Sequence, residues 1–282
     1  MSDVSDVTDV SDVSAVPAAV RATGAGRTLR AAGRALLQGD RVGAVALGWL
    51  VAVVLLAVLA PVVAPYDPTH VTSDTLAHPT LRHVFGTDQF GRDMLSRVLW
   101  GARLTLLASA AGIAISTAVG VPLGLVAGYS GRWLSGLIMR AMDVLLAFPG
   151  LLLAMIVVTI LGPGVVNVTL AIGIAFVPVF ARVVYGSTLA IRDRDYVLAA
   201  RSIGCTRRWV ARRHILPNLT TQVVVVASSA IGWAILTATT LNFLGFGVKL
   251  PTPEWGRTWP RARTGSRSRG GRPRFPASRS PA

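Results

Sequence analysis

Residues 104–128 read LTLLASAAGIAISTAVGVPLGLVAG. No charge interrupts the run, and a helix of about 20 apolar residues crosses a bilayer. Lipid offers no partner for backbone amides and no barrel-like alternation is visible, so the run must be helical. Ala108, Gly112, Ser116, Gly120, Gly124 and Gly128 fall at every fourth position. They make one face of small side chains along which another helix can approach closely. Its partner is either a helix of the same chain or one of a second subunit. Pro122 predicts a bend.

Four further apolar runs flank this one: Gly43 to Ala64, Val144 to Leu161, Val165 to Ala181 and Val223 to Phe246. The expectation is an all-α, polytopic membrane protein with five visible spans. The whole chain agrees: 52% of its 282 residues are hydrophobic, mean hydropathy is +0.57 and net charge is +15. So apolar a chain would expose too much apolar surface as a soluble nucleic-acid binder, and it is too hydrophobic for disorder. Cys205 stands alone, which excludes a disulfide framework or a multi-cysteine metal site. Lys249 is the single lysine and lacks a P-loop context, so no nucleotide site and no cofactor are expected in this chain.

Cations orient the spans. The 185–219 connector carries Arg192, Arg194, Arg201, Arg207, Arg208, Arg212 and Arg213 against Asp193 and Asp195, which places it in the cytoplasm. Counting back puts Gly162-Pro163-Gly164 outside, Arg132 and Arg140 inside, 65–101 outside and the N-terminus inside. Residues 1–42 open with four copies of a Ser/Thr-Asp-Val tripeptide and read as a disordered tail. The uncharged stretch 43–64 is too long for a secretory signal core and reads as a retained first helix.

The connector runs Asp195-Tyr-Val-Leu-Ala-Ala-Arg-Ser-Ile-Gly204, then Cys205 to Arg213, then His214-Ile-Leu216-Pro217-Asn218. It predicts a short helix over 195–203 stopped by Gly204 in a left-handed cap. A basic helix follows over Thr206–Arg213, and Pro217 starts the last span. Ala199, Ala200 and Ile203 form a compact apolar face. That face fits a groove in another protein, and the basic stretch equally fits an anionic lipid surface.

The connector resembles the EAA loop of binding-protein-dependent ABC importer permeases: Ala199-Ala200, Gly204 and Leu216-Pro217 stand at the motif's spacing. Several further runs resemble the dipeptide/oligopeptide/nickel branch, and its second permease subunit in particular. They are Gly86-Thr87-Asp88-Gln89-Phe90-Gly91-Arg92-Asp93, Leu95-Ser96-Arg97, Gly101-Ala102-Arg103, Asp143 with Phe148-Pro149, Leu244 to Val248, and Pro251-Thr-Pro-Glu254-Trp-Gly256. The resemblance covers 40–256, with a type I transmembrane core over 102–256. It implies a bacterial inner-membrane permease subunit that forms a path for peptides. Its implied partners are cytoplasmic ABC ATPase subunits, a second homologous permease, an extracytoplasmic solute-binding protein and membrane lipid, with no nucleic acid. It also implies that Asp195, Ala199, Ala200, Gly204, Leu216 and Pro217 couple the chain to the ATPase. Leu198 stands where the motif has glutamate, which removes a charge contact, and His214 stands where it has isoleucine. A nickel or other small-solute permease, or a transport-incompetent remnant, are the alternatives.

The remaining features read as structural. His70, His78 and His83 match no compact ligand spacing and read as a solvated loop. Thr87 and Asp88 read as shaping the entry to the second span. Cys205 sits among cations that favour a thiolate, yet reads as a plain small side chain rather than a reactive one. The spans hold no Ser/His/Asp or paired-carboxylate constellation, so enzymatic chemistry is not expected. Arg257 to Ala282 has eight arginines and no acid, where the family has a sixth helix. This run reads as the out-of-frame end of a frameshifted or truncated gene. An alternative frame downstream of codon 256 should then encode an apolar run of about 20 residues.

Overall fold

The computed structural model describes residues 41–249 and 251–258. The tail expected over 1–42 and the basic run from 259 onward lie outside the described residues, apart from the start of the first helix. The chain separates into two units, the first ending at Val53 and the second starting at Val54.

Helix α1 covers Arg41–Val58. The expected single span over 43–64 is shorter than the sequence suggested. Pro61 cannot donate to Ala57 and its ring crowds that carbonyl, so the chain turns at Leu59 and re-forms only the short α2, Ala60–Val63. Among the described residues, three helices are long and apolar enough to cross a membrane, and one bent pair makes a fourth. Gly43–Val58 is a shorter apolar helix, so the fivefold count is met only in part.

In the second unit α3 spans Met94–Tyr129. It starts eight residues before the expected core boundary at 102 because Asp93 caps it: its carboxylate accepts from the backbone N–H of Ser96 at 2.8 Å. Helix α4, Arg132–Leu146, and α5, Gly150–Leu161, meet at 91°. The straight span expected over 144–161 is therefore broken. Pro149 disfavours helical geometry at Phe148 before it and takes up the N-cap of α5. Helix α6 runs Val165–Arg192, eleven residues beyond the Ala181 boundary drawn from charge. Arg182 does not end it, because Asp143 on α4 pairs with its guanidinium. Helix α7 covers Asp195–Ser202, α8 Arg207–Val210, and α9 Leu216–Phe243.

The direction of travel alternates. Gly164 at the start of α6 donates to Phe246 beyond the end of α9 at 3.0 Å, while Arg192 at the end of α6 donates to Gly128 near the end of α3 at 3.0 Å. The first contact marks the loop end of the bundle and the second the connector end. Helices α3 and α6 run parallel and in step. Gly112 meets Ile172, Gly120 meets Phe180, Gly124 meets Val184 and Gly128 meets Thr188. Ser116 belongs to the same seam, its hydroxyl donating to the Gly173 carbonyl at 2.7 Å. The small-residue face thus packs within the chain, where close backbone approach supplies the dispersion contact that lipid cannot. Ile172, Phe180, Ala154, Val158, Ala234 and Leu241 carry this core on into α5 and α9.

Candidate functional site

At the connector end, Asp195 opens α7, where its charge favours the helix N-terminus. The helix closes on Gly204 at φ +88°. Cys205 N–H donates to Ala200 O at 3.1 Å and Gly204 N–H to Arg201 O at 3.0 Å, the paired bonds of a Schellman cap. Thr206 then caps α8 by accepting from Trp209 N–H at 3.3 Å. Each turn follows from its local residues.

The apolar face expected from Ala199, Ala200 and Ile203 is divided. Ala200 is buried with Val197, Val210, Ile215, Leu219, Val184 and Ile191 in the chain's own core. Ala199 and Leu198 are exposed, and Ile203 is 81% exposed. Helical spacing brings residues 197 and 200 onto one side, and that side anchors the helix. The opposite side, with Leu198, Ala199 and Ile203, is the one presented outward. Cys205 is half-buried beside the same core cluster.

The basic helix expected over Thr206–Arg213 does not end before Pro217. The chain is helical from Arg207 to Phe243, through a wider π turn at Ala211–Ile215. Leu216 N–H reaches back to Ala211 O, so the ladder shifts by one residue and Pro217, without an N–H, leaves no gap. Leu216 and Pro217 are both exposed here. His214 lies between two aromatic rings, Tyr196 of α7 at 5.8 Å and Trp209 of α8 at 5.3 Å. Asn218 donates to the His214 carbonyl at 2.6 Å and to Tyr196 Oη at 3.5 Å. These contacts tie the short helix to the root of α9. The departure of His214 from the motif was visible in the sequence, but its two ring partners, eighteen and five residues away, were not.

The loop end holds a buried polar knot. Asp88 accepts from Phe90 N–H at 2.8 Å and Arg92 N–H at 3.0 Å, and pairs with the Arg92 side chain at 2.8 Å. Thr87 Oγ1 donates to Asp74 O and accepts from Ala77 N–H. Both residues shape the chain ahead of α3, while Asp93 performs the cap. His83 is not solvated as expected: its Nδ1 lies 2.9 Å from Asp93 Oδ1 and its ring stacks on Tyr66. Among the described residues no three His, Cys, Asp or Glu converge as a metal site.

Fully buried Arg97 donates to Pro68 O at 3.0 Å and to Pro251 O at 3.2 Å. Trp255 Nε1 donates to Val98 O at 3.0 Å. Glu254 accepts from Thr105 Oγ1 at 3.0 Å and from Gly256 N–H at 2.7 Å. Residues 251–258 are thereby clamped across the start of α3, in contacts that sequence spacing could not reveal. The boundary drawn at 256 cuts through a turn that folds here, since Arg257 Nε donates to Asn242 O at 3.3 Å.

Burial raises the Glu254 pKa, against hydrogen bonds that lower it. The folded chain therefore holds this proton more tightly than the unfolded one, and stability declines as pH rises from the ordinary glutamate range through the raised pKa. Thermal melts of the purified protein between pH 4 and 8 should show that decline. Glu254→Gln should flatten it, because the neutral amide can accept from the Gly256 N–H and donate to the Thr105 hydroxyl without titrating.

Comparison with known proteins follows the same lines. Residues 120–262 match the family model described as binding-protein-dependent transport system inner membrane component. That match extends past Gly256, where the motif resemblance stops. Residues 37–79 match the N-terminal transmembrane domain of oligopeptide transport permease C. The chain is 40% identical over 223 residues to the dipeptide transport system permease protein DppC of Alkalihalophilus pseudofirmus, covering 78% of this chain and 73% of that protein. It is 44% identical over 217 residues to the glutathione transport system permease protein GsiD of Shigella dysenteriae serotype 1, covering 76% and 72%. The same figures hold for GsiD of Escherichia coli O157:H7. With the parallel seam, the bent span and the capped connector all lying within these matches, the chain belongs to the family of inner-membrane components of binding-protein-dependent transport systems, as a multi-pass ABC importer permease subunit.

Proposed function

We propose that this permease subunit forms part of the translocation path for short peptides, delivered by an extracytoplasmic binding protein and driven by a separate cytoplasmic ATPase. The names of its relatives, dipeptide and glutathione permeases, support the substrate class. The chain contributes no nucleotide site or cofactor of its own, and a second permease subunit completes the path. The connector end faces the cytoplasm, as its arginines favour, and so does the N-terminus.

The observation that carries this reading is the construction of α7. One side is buried against the ends of α6 and α9, and the other presents Leu198, Ala199 and Ile203. A helix so mounted transmits a push from a docked ATPase to two spans at once. Asp195, Ala199 and Gly204 are assigned to this docking segment, with Ala200, Leu216 and Pro217 joining it to the bundle. At the bent span, a recess of about 390 Å³ opens between α4, α5, α6 and α9, lined by Phe148, Phe176, Trp233, Leu236 and Thr240. It has the size and the mainly apolar lining, with Thr237 and Thr240 as polar groups, of a small-molecule site.

The test is uptake of a labelled dipeptide into proteoliposomes holding this chain, its partner permease and ATPase, with binding protein added outside. ATP-dependent accumulation is expected. ATP hydrolysis stimulated by binding protein without accumulation would instead identify a transport-incompetent remnant.

A further inference from the structure

At the connector end, α4 and the last turns of α6 enclose a cleft of about 650 Å³. Three guanidinium groups line it, Arg132, Arg182 and Arg192, against the single carboxylate of Asp143. Two of these arginines are already engaged. Arg182 pairs with Asp143. Arg192 donates to Gly128 O at 3.0 Å and lies 3.3 Å from Asp193. The Arg132 side chain makes no ion pair or hydrogen bond among the described residues. Tyr185 and Ser135, whose hydroxyls lie 3.5 Å apart, add neutral polar groups to the same wall. The cleft therefore carries an uncompensated positive charge and hydroxyl groups able to complete the shell of an oxyanion.

The surroundings select the ligand. Trp133, 81% exposed, follows Arg132, and Leu137 and Val144 lie exposed on the same side of α4 with the exposed Arg140 between them. A tryptophan beside an arginine at a helix end is the chemistry of the membrane–water interface. Exposed apolar side chains on the helix that carries the cationic cleft suit acyl chains below a charged headgroup. Guanidinium groups favour phosphate through paired N–H donors, and basic pockets between transmembrane helices take anionic headgroups.

We propose that this cleft is a binding site for the phosphate headgroup of an anionic phospholipid, with Arg132 as its principal ligand. Placing it in the inner leaflet rests on the orientation proposed above; the headgroup chemistry does not.

The full chain, purified in detergent and delipidated, is titrated with phosphatidylglycerol or phosphatidylcholine, and bound lipid is read by native mass spectrometry. Phosphatidylglycerol should be retained in clear preference. Arg132→Gln should lower its affinity about tenfold, the loss of one charge-assisted hydrogen bond, and Arg132→Lys should restore only part of it, since an ammonium keeps the charge without the paired donors. Arg132 is exposed, so these variants should fold and melt like the parent. Arg140, exposed on the same helix and outside the cleft, is the control, and Arg140→Gln should change nothing. Equal retention of the two lipids would overturn the site. So would equal damage from Arg140→Gln, which signals diffuse surface charge. Displacement of the lipid by a free dipeptide would overturn it in favour of a cargo carboxylate site. Failure of peptide uptake alongside retained lipid preference would sink the transport reading and leave this one standing.

Discussion

Gly124→Leu should prevent the permease from accumulating as a folded membrane protein. A Cβ at this position would sit 2.8 Å from Val184 Cβ and 3.0 Å from Tyr185 N, and closer still to the Ala181 carbonyl oxygen. Two of these three neighbours are backbone atoms of α6, which cannot rotate out of the way. Relief requires the two helices to separate, and separation loses dispersion contact along the seam from Gly112 to Gly128 at once. Overpacking a core typically costs about 1–3 kcal/mol. Here a leucine against fixed backbone belongs at or above the top of that range, a large share of the about 5–15 kcal/mol that a folded chain holds. Membrane yield and the thermal melt of any purified protein measure the effect. Gly136→Ala and Gly232→Ala are the matched controls, since nothing lies within 4 Å of either Cβ. They should be neutral or slightly stabilising through helix propensity. A leucine at 124 that melts like the parent would mean that α3 and α6 do not meet along this face.

Gly204→Val should leave the bundle intact and reduce ATP-driven uptake at least tenfold. The position has φ +88°, with open space around a Cβ, so the cost is conformational rather than steric crowding with neighbours. A β-branched residue is a severe outlier in this region. It escapes only by giving up the two bonds that turn the chain from α7 toward the Thr206 cap. The presented side of α7 then no longer stands at a set angle to the ends of α6 and α9. Asparagine tolerates left-handed geometry, so Gly204→Asn should retain most of the uptake. Uptake is measured in proteoliposomes beside the amount of ATPase that co-purifies. Wild-type uptake by Gly204→Val would sink the coupling role. If ATPase co-purification survives this substitution but fails on charge reversal at Arg207 and Arg208, the docking surface lies on the basic segment instead.

The contrast between these two glycines marks what was legible in the sequence. Gly204 was readable because its role is local: a helical stretch, a residue free to take positive φ and a new N-cap two residues later lie within one short segment. The seam was readable as a face, since a four-residue repeat of small side chains presents one side of a helix. Its partner was not, because close approach suits a helix of the same chain and one of another subunit alike. Phe148-Pro149 was present as a motif, yet an apolar run carries no direction, and the 91° turn came from the backbone cost of proline. Arg182 looked like a boundary because a lone cation ends a span. Asp143, far off in sequence, removes that charge and lets α6 continue.

By itself the sequence determined that the chain lives in a membrane as helices, which way its charges bias it, and that 195–204 ends in a left-handed cap. Run length, charge and local backbone preference are all properties of neighbouring residues. Only the tertiary structure decided that Ala200 faces inward while Ile203 faces out, that α3 pairs with α6, and that Arg97 and Glu254 clamp 251–258 to the start of α3. Those outcomes depend on contacts between residues up to 157 positions apart. In a chain apolar on nearly every face, the hydrophobic pattern does not say which face meets which; complementary shape and buried polar partners do.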